Sequence, residues 1–427
     1  MSRQLLDLSA QRAKFPALQE VDDQGRPYVY FDGPGGTQVP QAVIDAMAAY
    51  FRLANANHAG HFITSRRNDE IIDQARAAMA DFLNASSPNE IVFGANMTTL
   101  TFNLSRAIGR TLKPGDEIVV TRLDHDANVS PWLALQELGV EVKWADFDVE
   151  RFACQLDLDH LASLINNKTK LVAVGYASNA VGTINPIGRI AALARNVGAR
   201  LWVDAVHYAP HGPIDVQTLG CDFLVCSAYK FFGPHVGVLW GRLELLAELP
   251  AYKVRPAQAS PPHKFETGTL NHEGLAGVTA AIDYLAELGR EYGHQLEPMV
   301  GLDAYQGRRQ ALKQAMHVIL AYERPLFAYL LAEIQQIPGL TVYGITQEED
   351  LDKRCPTLAF RREGFTPAQI AGYLGDQGIF VWDGNYYALS VTERLGLEES
   401  GGMVRVGLAH YNTKAEVDRL LAALHEL

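Results

Sequence analysis

The chain reads LWVD at residues 201–204 and CSAYKFFGP at residues 226–234, and these two stretches decide the fold. The first stretch is the end of an apolar run, and the second stretch begins where another apolar run ends. Such runs form buried strands. The first run ends in Asp204, and Lys230 follows the second. A lysine in an enclosed site loses its proton readily and can attack an aldehyde, while an aspartate can keep a pyridine nitrogen protonated. The pair therefore predicts a pyridoxal 5'-phosphate site in which Lys230 binds the cofactor covalently.

Taken alone, such a pair also fits a solvated loop lysine and an aspartate that caps a helix. The surrounding sequence pattern decides between that interpretation and a cofactor site. Short apolar runs alternate with helical patterns at residues 90–93, 117–121, 140–144, 170–174, 200–204, 222–226 and 236–240. This alternation predicts an α/β fold with a large domain on a mostly parallel seven-stranded sheet. Ligands bind beyond the carboxyl ends of such strands. We therefore expect Asp204, Lys230, residues 96–99 and residues 123–128 to meet in one crevice.

The pattern changes after residue 273 to longer helices and a few short strands, which predicts a smaller α+β domain. We expect an N-terminal segment at 1–20 that packs on the small domain, a large cofactor-binding domain at 21–290 and a small C-terminal domain at 291–427. Polar residues at 290–309 indicate either a surface excursion or a helical connector.

The composition excludes several classes of function. A net charge of −12 over 427 residues argues against a nucleic-acid-binding surface, which needs clustered basic residues. No run is long and apolar enough for a membrane span, and residues 1–16 lack the apolar core of a signal peptide. Four scattered cysteines without a CxxC pair fit a reducing compartment and provide no metal site. These features predict a cytoplasmic enzyme.

Hydroxyl groups at one helix start are candidates for holding the phosphate of the cofactor. A dianionic phosphate favours N–H groups and hydroxyls at a helix N-terminus. Thr98 and Thr99 follow a predicted strand and precede a helix, although they also fit an ordinary helix cap. Ser227, three residues before Lys230, offers another hydroxyl.

Two histidines follow predicted strands and are candidates for the cofactor ring. His125 is expected to stack on the ring or to shuttle protons. His207, three residues after Asp204, is in a position to reach the ring hydroxyl.

Taken together, these segments resemble the class V aminotransferase family of fold type I enzymes, and within it the cysteine desulfurase and selenocysteine lyase branch. The matching motifs are residues 30–32 (YFD), 98–99 (TT), 124–125 (DH), 203–204 (VD), 227–234 (SAYKFFGP), 265–269 (FETGT), 404–408 (VRVGL) and 411–413 (YNT). His207 stands where the family usually has Gln. The resemblance implies the fold type I architecture, pyridoxal phosphate and an α-amino acid substrate.

The resemblance also implies how the site is shared and how it binds substrate. A homodimer is expected, in which Thr269 contacts the phosphate of the partner subunit's cofactor. Arg405 is expected to bind the substrate α-carboxylate, for which a guanidinium fork is suited. Asn57, His58 and His61 lie where the family lines its substrate pocket.

One loop departs from the family pattern. Desulfurases of the family carry a nucleophilic cysteine in a loop that reads roughly Gly-His-His-Cys-Ala, but residues 384–388 read GNYYA. Tyr387 takes the position of the cysteine. A phenol is a much poorer nucleophile than a thiolate at neutral pH and cannot store a sulfane sulfur. The nearest cysteine in sequence, Cys355, opens a predicted strand instead.

The sequence therefore predicts α-carbon chemistry without a persulfide step. We expect β-elimination of the carbon–sulfur lyase type, for which no loop cysteine is needed. A class V aminotransferase would use the same residues. Two further alternatives stay open: an epimerase with Tyr386 or Tyr387 as a second base, and a binding protein that keeps the fold without turnover.

Overall fold

The computed structural model describes residues 6–297 and 299–427. Residues 1–5 of the predicted N-terminal segment and Pro298 of the predicted excursion lie outside the described residues. The strands are β1 (Val29–Tyr30), β2 (Ile91–Gly94), β3 (Glu117–Thr121), β4 (Glu141–Ala145), β5 (Thr169–Gly175), β6 (Arg200–Asp204), β7 (Phe223–Ser227), β8 (Gly237–Gly241), β9 (Leu340–Tyr343), β10 (Thr357–Arg362), β11 (Ile379–Phe380), β12 (Trp382–Gly384) and β13 (Met403–Gly407).

Helices cover the sheets and connect their strands. They are α1 (Ser9–Arg12), α2 (Gln41–Leu53), α3 (Ile63–Leu83), α4 (Met97–Gly109), α5 (Ser130–Leu133), α6 (Leu158–Leu164), α7 (Ile187–Asn196), α8 (Val216–Leu219), α9 (Leu243–Glu248), α10 (His272–Tyr292), α11 (Gly307–Ile334), α12 (Pro367–Asp376), α13 (Leu389–Arg394) and α14 (Lys414–Glu426).

The seven predicted strands form one sheet, in the order β2-β8-β7-β6-β5-β3-β4. Strand β8 runs antiparallel to both β2 and β7, and the other neighbouring pairs are parallel. Strands β3, β7 and β8 are buried along their whole length, which explains their continuous apolar sequences. The predicted α/β class and mostly parallel sheet are confirmed. The carboxyl ends of β3, β5, β6 and β7 consequently share one edge.

A second sheet forms in the C-terminal part of the chain. Its order is β12-β13-β10-β9, and all its neighbouring strands are antiparallel. The N-terminal segment contacts this part, because Arg12 Nη2 lies 2.6 Å from Glu416 Oε1 on α14. In the described part of 290–309, two short 3-10 turns connect α10 to α11. No helix of the described residues is both long and apolar enough to cross a membrane.

Candidate active site

A cavity of about 1020 Å³ opens at the carboxyl edge of the seven-stranded sheet. Its walls come from segments after β3, β5, β6 and β7, from the start of α4 and from the loop after β12. The sequence-predicted residues that line it are Thr98, His125, Asp204, His207, Ser227, Lys230, Tyr387 and Arg405. Strand ends of the seven-stranded sheet bring His125, Asp204 and Lys230 to this edge. Arg405 and Tyr387 come instead from the second, antiparallel sheet and the loop after its strand β12.

Lys230 lies in a buried turn directly after β7. Its side chain is enclosed, with only 8% of the residue surface exposed. The ammonium group donates to the carbonyl oxygen of Pro34 and lies 4.8 Å from the ring centroid of Tyr229. Burial, reinforced by the nearby Arg405 charge, lowers the pKa of Lys230 to about 7. A substantial fraction of this lysine is therefore a neutral amine at neutral pH.

Asp204 is the last residue of β6 and lies within the same cavity. Its Oδ1 accepts a hydrogen bond from the backbone N–H of Val206 at 2.9 Å. Burial raises the pKa of Asp204 to about 6, although the charge of Lys230 opposes the rise. At neutral pH the group is thus mostly a carboxylate, available to a protonated heterocyclic nitrogen in the cavity.

His125 follows β3 at the cavity wall, and its ring is held on both sides. Its Nδ1 accepts from the backbone N–H of Ala127 at 2.9 Å, and its ring stacks on Tyr387 with centroids 5.6 Å apart. Burial and the charges of Lys230 and Arg405 lower the pKa of His125 to about 4. The imidazole is therefore neutral at neutral pH, which favours a stacking role over a proton-shuttle role.

The start of α4 provides the polar end of the cavity. The cap of this helix is Asn96, whose Oδ1 accepts from the backbone N–H of Thr99 at 2.8 Å. The hydroxyl of Thr99 also donates to Asn96 Oδ1, at 2.9 Å, and Thr99 does not line the cavity. Thr98 and Ser227 do line it. Of the two predicted threonines, only Thr98 is therefore placed to meet a phosphate.

A glycine beneath the helix start allows this close arrangement. A Cβ added to Gly237 on β8 would lie 2.3 Å from the carbonyl carbon of Asn96. That distance is far shorter than any real contact, so only glycine lets β8 pass under the cap. The anion-binding end of the cavity thus depends on backbone geometry as well as on side chains.

Arg405 is at the centre of β13 and is 4% exposed. Its Nη1 donates to the carbonyl oxygen of Asn179 at 2.9 Å, and its guanidinium carbon lies 4.3 Å from the ring centroid of Tyr386. Burial lowers the pKa of Arg405 to about 10, so it stays charged at neutral pH. Its Nε has no hydrogen-bond partner among the described residues. The guanidinium therefore keeps donor capacity for an anionic ligand.

Hydrogen bonds hold the loop at residues 384–388 to segments on two sides of the cavity. The carbonyl oxygen of Tyr387 accepts from the backbone N–H of Asp126 at 2.7 Å. The carbonyl oxygen of Tyr386 accepts from Asn179 Nδ2 at 2.9 Å, and its hydroxyl donates to the carbonyl oxygen of Met403. Both tyrosines have positive φ, 55° and 59°. The Tyr387 side chain itself is 75% exposed at the cavity mouth.

Two further residues organise the site: Asn179, which the sequence analysis missed, and Asp124, which lies in the expected segment 123–128 but was given no role of its own. Asn179 follows β5 and contacts both Arg405 and the tyrosine loop through the bonds described above. Asp124 joins the ends of β3 and β5, because its Oδ1 accepts from the backbone N–H of Gly175 at 2.8 Å. Its Oδ2 accepts from Asn128 Nδ2 at 2.8 Å. The strand-end rule applied to residues 170–174 would have pointed to Asn179.

Five predicted site residues do not line the cavity of their own chain: Thr99, described above, and Thr269, Asn57, His58 and His61. They are exposed; Asn57, His58 and His61 lie on the connection between α2 and α3, and Thr269 lies just before α10.

The groups left in the cavity match the chemistry of pyridoxal phosphate. A buried amine with a lowered pKa meets the need for a nucleophile toward the aldehyde, and Asp204 meets the need for an acid group at the pyridine nitrogen. The capped start of α4 and the hydroxyls of Thr98 and Ser227 suit a phosphate. Asp204 and Arg405 each keep capacity for a partner in the cavity.

Comparison with known proteins identifies the family. A family profile described as aminotransferase class-V matches residues 29–307 and 308–420. The chain belongs to the class V aminotransferase family. A cysteine desulfurase of Yersinia pestis is 34% identical to it over 432 residues, which cover 97% of each chain. A probable cysteine desulfurase of Mycolicibacterium paratuberculosis is 34% identical over 440 residues, which cover 99% of this chain but 58% of that protein.

A solved structure agrees with this assignment to the class V aminotransferase family. The apo structure of the cysteine desulfurase from Thermococcus onnurineus NA1 superposes with a TM-score of 0.83 at 26% identity, covering 100% of this chain and 98% of that one. The chain is therefore a cysteine desulfurase-like class V enzyme of fold type I that depends on pyridoxal phosphate. Members of this family act on small amino-acid substrates. The predicted fold, family and cofactor are confirmed.

Proposed function

We propose that this enzyme catalyses β-elimination from a β-substituted α-amino acid such as an S-substituted cysteine, without a persulfide on the protein. The observation that carries the proposal is the occupant of the loop at 384–388. Tyr387 lies there at the cavity mouth, where the resemblance places the nucleophilic cysteine of desulfurases. A phenol does not take over sulfur transfer from a thiolate.

The cysteines of the chain do not replace the missing nucleophile. All four are buried, and none lines the cavity. Burial raises the pKa of Cys154 and Cys221 to about 12, and it raises the pKa of Cys226 and Cys355 further. Their thiols therefore stay protonated and inaccessible, and thiols in this state are poor nucleophiles.

The cavity residues supply what an elimination needs. Pyridoxal phosphate, when bound, provides an electron sink for the bond that breaks at the α-carbon. Arg405 holds the substrate carboxylate, and the neutral amine of Lys230 accepts the α-proton. The bond between Cβ and sulfur then breaks, and its electron pair leaves on the sulfur. From a cysteine derivative, the remaining three carbons leave as an enamine that water converts to pyruvate and ammonia.

The residues outside the cavity support a shared site in a homodimer. Phe51, Leu53, Phe62 and Ile63 surround the connection that carries His58, and each exposes more than half of its surface. Exposed apolar side chains grouped in this way mark an interface in a soluble protein. The dimer would place Asn57, His58, His61 and Thr269 at the partner's cavity. Light scattering should find the mass of two chains; a monomer under assay conditions would contradict the shared site.

A panel of amino acids tests the proposed reaction. Cysteine, S-methylcysteine, serine O-esters and alanine are each scored for pyruvate, sulfide or thiol, the pyridoxamine form of the cofactor, and solvent deuterium at the α-carbon. Pyruvate together with the departing group supports elimination. Accumulation of the pyridoxamine form would point to transamination instead. Tyr387→Phe is the matched variant: it should keep the product ratio, whereas an epimerase that uses the phenol would lose deuterium exchange.

Replacement of Arg405 by lysine should lower kcat/KM by about 10- to 100-fold, since a bidentate charged contact becomes a single one. The loss should appear mainly in KM. It should vanish for S-substituted cysteamines, which lack the carboxylate. Arg361→Lys on the neighbouring strand β10 is the control, because Arg361 donates to Ser400 Oγ and the Gly402 carbonyl rather than lining the cavity. An equal loss for both substrate types would argue against carboxylate binding.

The rate of cofactor uptake should depend on pH, because only the neutral amine of Lys230 attacks the aldehyde. Because its pKa is lowered to about 7, the neutral form dominates above that pH, so the rate should rise up to about pH 7 and then level off. An ordinary lysine, with a pKa of about 10.4, would keep gaining reactivity beyond pH 9. The measurement is the growth of the lysine-linked absorption band after mixing cofactor-free protein with pyridoxal phosphate, with a lysine peptide as the reference.

A further inference from the structure

A buried histidine and a buried glutamate form a hydrogen-bonded pair behind the cavity, where the reaction does not use it. His211 Nδ1 is 2.8 Å from Glu323 Oε2 on helix α11. Glu323 is 2% exposed. The pair therefore joins the segment after β6 to a helix of another layer.

The pair reaches the cavity through His207. The rings of His207 and His211 meet edge to face, with centroids 5.6 Å apart and an angle of 69°. On its other side, His207 Nε2 lies 2.9 Å from the hydroxyl oxygen of Thr357 on β10. Arg354 fixes Thr357 in turn, because its Nη2 donates to the Thr357 carbonyl oxygen. His207 is thus held on two sides while it lines the cavity.

Stability does not explain why the pair is there. Burying a pair of polar, titratable side chains usually costs more than burying an apolar pair of the same shape. Glu323 Oε1 has no partner among the described residues, and burial raises the pKa of this carboxyl. A small cavity of about 80 Å³ adjoins the pair, and its other charged or titratable lining residues are Tyr208, Arg324, Asp352, Arg354 and Cys355. None of these forms a salt bridge with Glu323 in the described part of the chain, so the His211 contact is the main polar one.

We propose that His211 and Glu323 are positioning residues for His207. They hold its ring in one neutral form, with Nε2 accepting from the Thr357 hydroxyl and the Nδ1–H left for the ring hydroxyl of the cofactor. The inference rests on the proposed cofactor contact of His207, but not on which reaction follows.

A hydrogen-bonded carboxylate fixes the orientation of an imidazole ring and which of its nitrogens carries the proton. Glu323 accepts the Nδ1 proton of His211 and so fixes its ring plane, as outer carboxylates do for histidines in metal and catalytic sites. The fixed edge of His211 then restricts rotation of His207. Burial and the neighbouring charges of His211, Arg405 and Lys230 lower the pKa of His207 well below its usual range, so the ring stays neutral. A neutral imidazole has one donor and one acceptor, as the amide that the family usually carries here also has both.

The test is a nitrogen-15 spectrum of histidine-labelled protein at neutral pH, with the His207 signals assigned from their loss in His207→Gln. The parent protein should show a protonated Nδ1 and an unprotonated Nε2. Glu323→Gln and His211→Gln should each give averaged signals, because the ring no longer has one fixed form. Thr357→Val should also give averaged His207 signals, because it removes the hydroxyl that lies against Nε2. The spectrum is recorded both with pyridoxal phosphate bound and without it.

A matched control distinguishes the loss of His207 positioning from the general effect of removing a buried carboxylate. Glu416 is also buried, and neither it nor its partner Arg12 lines the cavity, so Glu416→Gln should leave the His207 signals unchanged. A protonated Nε2 in the parent would overturn the proposal, even if the variants failed to fold. Unchanged His207 signals in a folded Glu323→Gln protein would overturn it as well. Failure to bind the cofactor would instead count against the proposed function. The positioning of His207 would still be tested in that case, because the spectrum of cofactor-free protein shows which ring nitrogen is protonated.

Discussion

Replacing Lys230 with alanine should lower turnover by about 10³-fold or more and remove the lysine-linked absorption band of the bound cofactor. The reason is that one amine has two tasks. It holds the cofactor covalently, and it accepts the α-proton of the substrate. Its pKa is lowered to about 7 by burial, which makes it suited to both at neutral pH. The measurements are the absorption spectrum of the purified variant and its turnover with the best substrate of the panel.

A second buried lysine provides the control. Lys313 is also enclosed, it donates to the carbonyl oxygen of Ile214, and burial lowers its pKa to about 8. It lies outside the cavity and has no role in the proposed chemistry. Lys313→Ala should keep the absorption band in whatever fraction of protein folds. A lysine-linked band that persists in Lys230→Ala would contradict the assignment of the cofactor lysine.

Replacing Asp204 with asparagine should lower turnover by about 10²- to 10⁴-fold while leaving the lysine-linked band in place. The carboxylate is largely ionised at neutral pH and stabilises positive charge on the pyridine nitrogen. Asparagine keeps the size and the acceptor for the Val206 N–H, so the backbone after β6 should not move. The measurement is turnover at saturating cofactor together with the pH dependence of the spectrum.

The other end of the same strand offers a matched control. Asp222 Oδ2 accepts from the backbone N–H of Leu201 near the start of β6, away from the cavity. Asp222→Asn should affect stability more than turnover per folded molecule. If Asp204→Asn retained full turnover, the electron-sink role of this aspartate would be wrong.

The sequence predicted the large sheet well because buried parallel strands are continuous apolar runs. Each of the seven runs became a strand of that sheet, within a few residues of its predicted bounds. Strand-end placement predicted one crevice for Asp204, Lys230 and His125, and all three line one cavity. These features depend on local sequence and on one rule of sheet geometry, and both can be read from a single chain.

Other parts of the site depend on contacts between distant segments, which a single sequence does not show. Asn96, rather than either threonine, caps α4, because an asparagine oxygen reaches the N–H groups of the first turn. Asn179 connects Arg405 to the tyrosine loop over more than two hundred positions. The pairing of His211 with Glu323 likewise joins segments 112 residues apart. Such contacts emerge only when the layers pack.

The proposed reaction ends in elimination and leaves no sulfur on the protein. The most direct measurement gives the enzyme L-cysteine without a reducing agent, quantifies pyruvate and alanine, and determines the intact mass of the protein after turnover. We expect pyruvate and sulfide in equal amounts, with no alanine and no added sulfur on the chain. Alanine formed together with a persulfide on the protein would contradict it.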